Sequence, residues 1–151
     1  KSPANCRQIF HRARAALERA PARFTPEPQQ QRQLLLSFLA ASQAGDMAAL
    51  TRMLAHDAIS WSDGGGKAPA NLKPVQGQEA VARFWAFWLG QSHALHFTLG
   101  DVNGEPAILA WEGERLGALI SPVMSAAGIQ EIYALLNPEK LAYIQKQLAQ
   151  R

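Results

Sequence analysis

The side chains that can do chemistry fall into three groups. Residues 1–23 carry Lys1, Arg7, Arg12, Arg14, Arg19 and Arg23 against Glu18 alone, whereas the rest of the 151-residue chain holds nine basic and eleven acidic residues. The positive excess is confined to one short stretch, which is the footprint of an element that meets a polyanion. A second group is Asp63-Gly64-Gly65-Gly66-Lys67, with Asn137-Pro138-Glu139-Lys140 far downstream. On their own these read as a glycine-rich hairpin end and a Pro-initiated helix start with Glu139 in its favourable first turn. They do not form a phosphate loop, because the GxxxxGK[ST] spacing and the helix after it are missing. The third group is His93, His96 and Glu131, of types that serve as acids and bases. His93 and His96 lie three apart in a strand-like run, so they project to opposite faces and share no metal. No pair has a spacing that demands catalysis. Cys6 is alone, which removes an internal disulfide and a cysteine-based metal site. No catalytic residue, metal or cofactor is therefore expected.

These residues need elements to hold them. Ser2 is a good N-cap and Pro3 suits a first helical position, so a helix is predicted from Pro3 to about residue 20. At about 100° per residue, Cys6, Ile9, Phe10, Ala13, Ala16 and Leu17 share one face, while Arg14, Arg7, His11, Gln8 and Arg12 occupy the other. Arg and Gln can bond base edges in a major groove and further Arg can neutralise phosphates, although any basic amphipathic surface helix shows the same pattern. The chain opens on Lys1 directly at this helix start, which reads as a piece of something longer. Pro21, Pro26 and Pro28 then exclude a continuous helix and predict an extended linker over residues 21–30.

Beyond the linker, Leu34, Leu35, Phe38, Leu39 and Ser42 recur at helical spacing. Gly45-Asp46 ends that helix and caps a second, from Met47 to about Leu54. Strand texture begins at Ala58 and stops at the three glycines. Residues 77–89 form a further helix with Ala80, Val81, Phe84, Trp85 and Trp88 on one face. Strands are predicted near 94–101, 105–111, 115–124 and 129–136, separated by the hairpin-type turns Asn103-Gly104, Glu112-Gly113 and Ala127-Gly128, and a last helix starts at Pro138. The order predicts an α+β fold with helices on one side of a curved antiparallel sheet. No stretch of about 18 apolar residues and no signal-peptide pattern occurs, so the expectation is a soluble, cytoplasmic protein that does not engage a membrane.

Three stretches carry a resemblance to a known family. SPANCRQIFHRARAAL resembles the recognition helix that closes region four of extracytoplasmic-function sigma factors. SFLAASQAGDMAALTRMLAHDA, with the element order that follows, resembles the SnoaL-like (cystatin-like) cone-shaped α+β barrel, here preceded by an isolated N-terminal helix. WSDGGGK and NPEKL look like signatures of sigma factors with a SnoaL-like C-terminal extension, the SigJ-like group, with Glu139 standing where Asp is usual. The resemblance implies three parts: residues 1–20 as the end of the sigma helix-turn-helix, 21–30 as linker, and 31–151 as a regulatory SnoaL-like domain. Arg7, Gln8, His11, Arg12 and Arg14 would then face promoter DNA. Asp63, Gly64, Gly65, Gly66 and Lys67 would dock on the protein's own sigma core, with Asp63 and Lys67 pairing with its charges, and Asn137, Pro138, Glu139 and Lys140 would form a second contact near the first. RNA polymerase core and promoter DNA are the implied partners of the whole protein, no anti-sigma partner is required, and dimerisation, common for this fold, would pair two SnoaL-like domains. Trp61, His96, Trp111, Glu131 and Tyr133, together with Trp85 and Trp88, are candidates to line a pocket inside the barrel, against the plainer expectation of core packing. Two other readings stay open: a stand-alone SnoaL-like cyclase, isomerase or hydrolase using His96 or Glu131, and a small-molecule-sensing module.

Overall fold

A computed structural model describes residues 27–150; the basic segment of residues 1–26, with Arg7, Gln8, His11, Arg12 and Arg14, lies outside the described residues. Helix α1 runs Pro28–Ala44, starting inside the stretch expected to be linker because Pro28 sits at its first turn, where a missing N–H costs nothing. Its buried positions, Gln31, Leu35, Phe38, Ala41 and Ser42, follow the three-and-four spacing of one helical face. Gly45, at φ 67°, closes the helix by donating its N–H to the carbonyls of Ala41 and Ser42. Helix α2, Met47–Met53, is capped by the Asp46 carboxylate, which accepts the Ala49 N–H at 2.9 Å.

Strand β1, Leu54–Asp63, follows with no loop between. Strand β2 is the two-residue Val75–Gln76, which the sequence does not announce. Helix α3 spans Gln78–Gly90, and then come β3 His96–Val102, β4 Glu105–Glu112, β5 Arg115–Ser125, β6 Gly128–Leu135 and helix α4 Pro138–Leu148. The turn between β3 and β4 needs positive φ at both central residues, and Asn103-Gly104 supplies it at 55° and 82°.

The six strands are ordered β2-β1-β6-β5-β4-β3. The three pairings of the β3-to-β6 meander are antiparallel as expected, and β1 pairs antiparallel with the short β2, but β1 and β6 run parallel, so the sheet is mixed. A parallel neighbour requires a crossover, and here everything from Gly64 to Ala127 makes it. The helices do not share one side either. Ile108, Ile120 and Ile132 pack with Leu35, Phe38, Leu50, Val81 and Trp85 of α1 to α3 on the inner face. Ala107, Leu109, Leu116 and Leu119 pack with Leu141 of α4 on the outer face. The correction follows from β4, whose Pro106–Ala110 stretch is buried at every position and so needs cover on both sides. Arg32 of α1 holds Asp101 of β3 through both carboxylate oxygens at 2.6 Å, tying the first helix to the sheet edge.

Candidate functional site

The parallel pairing of β1 and β6 places the C-terminal ends of both strands side by side: Asp63 is in register with Leu135, and its carbonyl accepts the N–H groups of Leu136 at 2.8 Å and Asn137 at 3.0 Å. The glycine-rich motif begins where β1 stops and the Asn-Pro motif begins just after β6 stops, so the two meet. Lys140 donates to Asp63 Oδ2 at 2.7 Å, and Lys67 forms an ion pair with Glu139. Asp63 Oδ1 accepts the Gly65 N–H at 2.9 Å, folding the loop back over its own start. The Lys140 ammonium first, and the Gly65 N–H second, hold the Asp63 carboxyl below its ordinary range. Asn137 caps α4 by accepting the Glu139 N–H at 3.1 Å.

Gly65 is needed at this junction for two reasons. Its φ of 59° is left-handed, and a Cβ there would lie 2.1 Å from Asn137 Nδ2. Gly64 is equally constrained, since a Cβ would lie 2.2 Å from the Ala68 carbonyl oxygen. The two motifs thus meet in one place, with Gly64 and Asn137 buried beneath the other seven residues. Asp63 and Lys67 were expected to pair with charges on another part of the protein; here their charges are engaged by Lys140 and Glu139, while all four side chains keep 44–71% exposure.

The aromatic and acid–base candidates lie elsewhere. Trp61 and Tyr133, register partners on β1 and β6, stack with ring centroids 6.5 Å apart, and Glu131 accepts from both the Trp61 indole and the Tyr133 hydroxyl. His96 and Trp111, partners on β3 and β4, stack at 6.2 Å, and Trp111 donates to Thr98 Oγ1 at 2.9 Å. Strand alternation decides their side: Ile132 packs inward, so Glu131 and Tyr133 point outward, and Trp111 packs with the outer cluster. None of the five lines the inner cavity. His93 sits in the turn before β3.

The inner cavity has a volume of about 260 Å³ and lies between α3 and the concave sheet. Trp85 and Trp88 line it, as the aromatic stripe of α3 suggested, together with Phe84, Phe97 and Ile120. Trp85 is anchored by donating its indole N–H to the buried Ser60 hydroxyl at 3.1 Å. Ser62, Ala118, Leu136 and the Glu112–Arg115 ion pair also contribute and were not foreseen. The available signal was adjacency, since Ser62 and Leu136 directly precede the two motifs.

A model of the SnoaL-like domain matches residues 35–131. The chain belongs to the SnoaL-like domain family. Among curated relatives, this SnoaL-like chain is 26% identical over 95% of its length to a probable extracytoplasmic-function RNA polymerase sigma factor, SigI, of Mycobacterium tuberculosis, of which it covers 47%. It is 33% identical over 55% of its length to the sigma factor SigJ of the same organism, covering 27% of that protein. The crystal structure of SigJ superposes with a TM-score of 0.66 at 25% identity, over 94% of this chain and 52% of that one. A designed protein with a curved β-sheet, 12% identical with a TM-score of 0.55, shares the fold alone. The SnoaL-like chain spans about half the length of the SigI and SigJ chains it matches. Its described residues include no helix long and apolar enough to cross a membrane.

Proposed function

We propose that this chain is the C-terminal part of an alternative sigma factor, whose SnoaL-like domain regulates transcription initiation by docking on the sigma core. In this reading residues 1–20 close the helix-turn-helix and turn Arg7, Gln8, His11, Arg12 and Arg14 toward promoter DNA. The proline-bearing stretch ahead of α1 is the tether, and residues 31–151 hold the regulatory domain. RNA polymerase core and promoter DNA are partners of the whole protein, which then works in the cytoplasm. A SigI match over 95% of the chain takes in most of residues 1–26, which supports joining the basic segment to the domain in one function.

The observation that carries the docking role is the single surface built by Asp63–Lys67 and Asn137–Lys140 at the common end of β1 and β6. Because its ion pairs are already made internally, the surface offers a partner a preformed shape with an alternating charge pattern, which favours specificity over raw affinity. A role without chemistry of its own is supported by the outer-face position of His96 and Glu131 and by Glu112, the one carboxylate among the described residues that line the cavity, being held by Arg115.

Run-off transcription with the full-length protein and core polymerase tests this. Removing the domain from Pro28 onward changes promoter-dependent output. Exchanging Lys67→Glu with Glu139→Lys preserves an ion pair but inverts the charges offered to a partner, and it shifts output in the same direction as removal. Unchanged output from both proteins would overturn the docking role.

A further inference from the structure

The first turn of α1 opens onto a groove of about 380 Å³ that is separate from the cavity under α3. Its apolar lining comes from Val102 at the end of β3, from Leu119, Pro122 and Val123 of β5, and from Ile144 of α4. Val123 keeps 39% exposure, an apolar surface left for a neighbour. Gln31 of α1 lies on the wall at only 7% exposure, and among the described residues its amide makes no hydrogen bond. A buried amide is costly to leave unpaired, and a passing backbone offers both the donor and the acceptor it needs. Glu105, exposed at the rim, has no ion-pair partner among the described residues.

The chain that leads into α1 is placed and built to fill this groove. Glu27, whose carbonyl accepts the Gln31 N–H at 3.0 Å, is one helical turn from the wall. It stands at φ −52° and ψ 138°, an extended setting, and Thr25 is restricted to the same region because Pro26 follows it. On such a path, at about 3.1 Å per residue, Phe24 lies about 9 Å from Glu27. Phe24 is the one large apolar side chain between residues 18 and 27, and Arg23 beside it is opposite in charge to Glu105. We propose that residues 22–26 lie extended in this groove, with the Phe24 ring against Val123 and Ile144, a backbone amide on Gln31 and Arg23 at Glu105. The proline-bearing stretch is then clamped at its domain end, and the clamp sets the direction in which residues 1–20 leave the domain. The consequence for promoter binding rests on the sigma-factor reading above; the seating of residues 22–26 does not.

The test uses the present chain. With methyl-labelled Val and Ile, NOE cross-peaks join the Phe24 ring to the methyl groups of Val123 and Ile144, and Phe24→Ala abolishes them. Their absence from the parent chain would overturn the seating. Cross-peaks to the same methyls from Phe10 would make the apolar face of the basic segment the occupant and would overturn it too. So would cross-peaks that persist between labelled and unlabelled chains in a mixture, which would put a second copy in the groove. Trypsin gives a second readout through its cut after Arg23. Val123→Asp leaves the cleaved sequence intact but sets a charge against the ring, and it speeds that cut by about fivefold or more. Ser121→Glu, from the same groove, serves if Val123→Asp loses its cooperative melt. An unchanged rate in a folded variant would overturn the seating. None of these readouts involves transcription, so failure of the docking role and failure of this clamp are told apart.

Discussion

Strands β4 and β6 lie in the same sheet, separated only by β5, yet they are buried in different ways. In β4 every residue from Pro106 to Ala110 is buried, whereas in β6 the deeply buried Ile129, Ile132 and Ala134 are interrupted by Glu131 and Tyr133, which reach the surface. The difference lies in what covers the outer face: the cluster under α4 takes in Ala107 and Leu109 of β4, Leu116 and Leu119 of β5 and only Leu135 at the end of β6, leaving Trp61 and Tyr133 exposed. A strand covered twice can carry only apolar side chains, and one covered once can place aromatic and acidic groups outside. The glycine-rich and Asn-Pro motifs accordingly grow from the ends of β1 and β6.

The largest expected effect tests the doubly covered strand. Ile108→Ala removes a fully buried side chain between the sheet and the inner helices and lowers stability by about 2–5 kcal/mol in urea unfolding. Tyr133→Ala on the open face costs about 1 kcal/mol or less. A cost for Tyr133→Ala as large as that for Ile108→Ala would mean that β6 is covered after all, and the comparison would break.

Next comes the uncovered end. Gly65→Ala meets both a left-handed backbone and the Asn137 side chain, and it destabilises the protein by about 1–3 kcal/mol. Gly66→Ala, with φ at 70° and open space around it, costs about 1 kcal/mol. Equal losses at the two positions would show that the two motifs do not press together.

A smaller effect concerns protonation. The folded-state carboxyl of Asp63 titrates below its ordinary value of 3.8, chiefly through Lys140. Its contribution to stability is therefore present above the unfolded-state value and disappears as pH falls through the lowered one. Carboxyl NMR titration of Lys140→Met moves the Asp63 midpoint upward. Asp57 on β1 behaves in parallel, held low first by the Gln130 amide, and Gln130→Ala raises it.

The smallest effect sharpens the inner side. The Ser42 hydroxyl on α1 is buried without a hydrogen-bond partner among the described residues. Ser42→Ala leaves stability within about 1 kcal/mol of the parent, on the stabilising side, in the same unfolding assay.

Much of this arrangement is legible in the chain. The helices, the four-strand meander and its turns follow from local signals: apolar spacing, Gly45 after α1, Asn103-Gly104 between β3 and β4, and Asn137-Pro138 before α4. The glycine-rich and Asn-Pro motifs are equally visible as local patterns. Their meeting as one surface depends on β1 pairing parallel with β6, a contact between distant segments that no local spacing encodes. The face taken by each aromatic residue was hidden for another reason. Trp61 and Trp85 are alike in type, and only the cover supplied by α3 on one side and the bare outer sheet on the other separates a cavity wall from an exposed stack. The outer position of α4 was concealed likewise, because its amphipathic pattern fits either face.

The β1–β6 pairing also imposes an order on biosynthesis. Asp63 and its partner Lys140 are 77 positions apart, and the strand that aligns them comes after every other strand of the sheet. Contacts of such long range form late, because the intervening chain must first be gathered in. A ribosome must therefore have delivered residue 140 before the Asp63–Lys140 clasp can exist. Residues 54–63 of β1 therefore wait, without their β6 partner, until the last strand has been made.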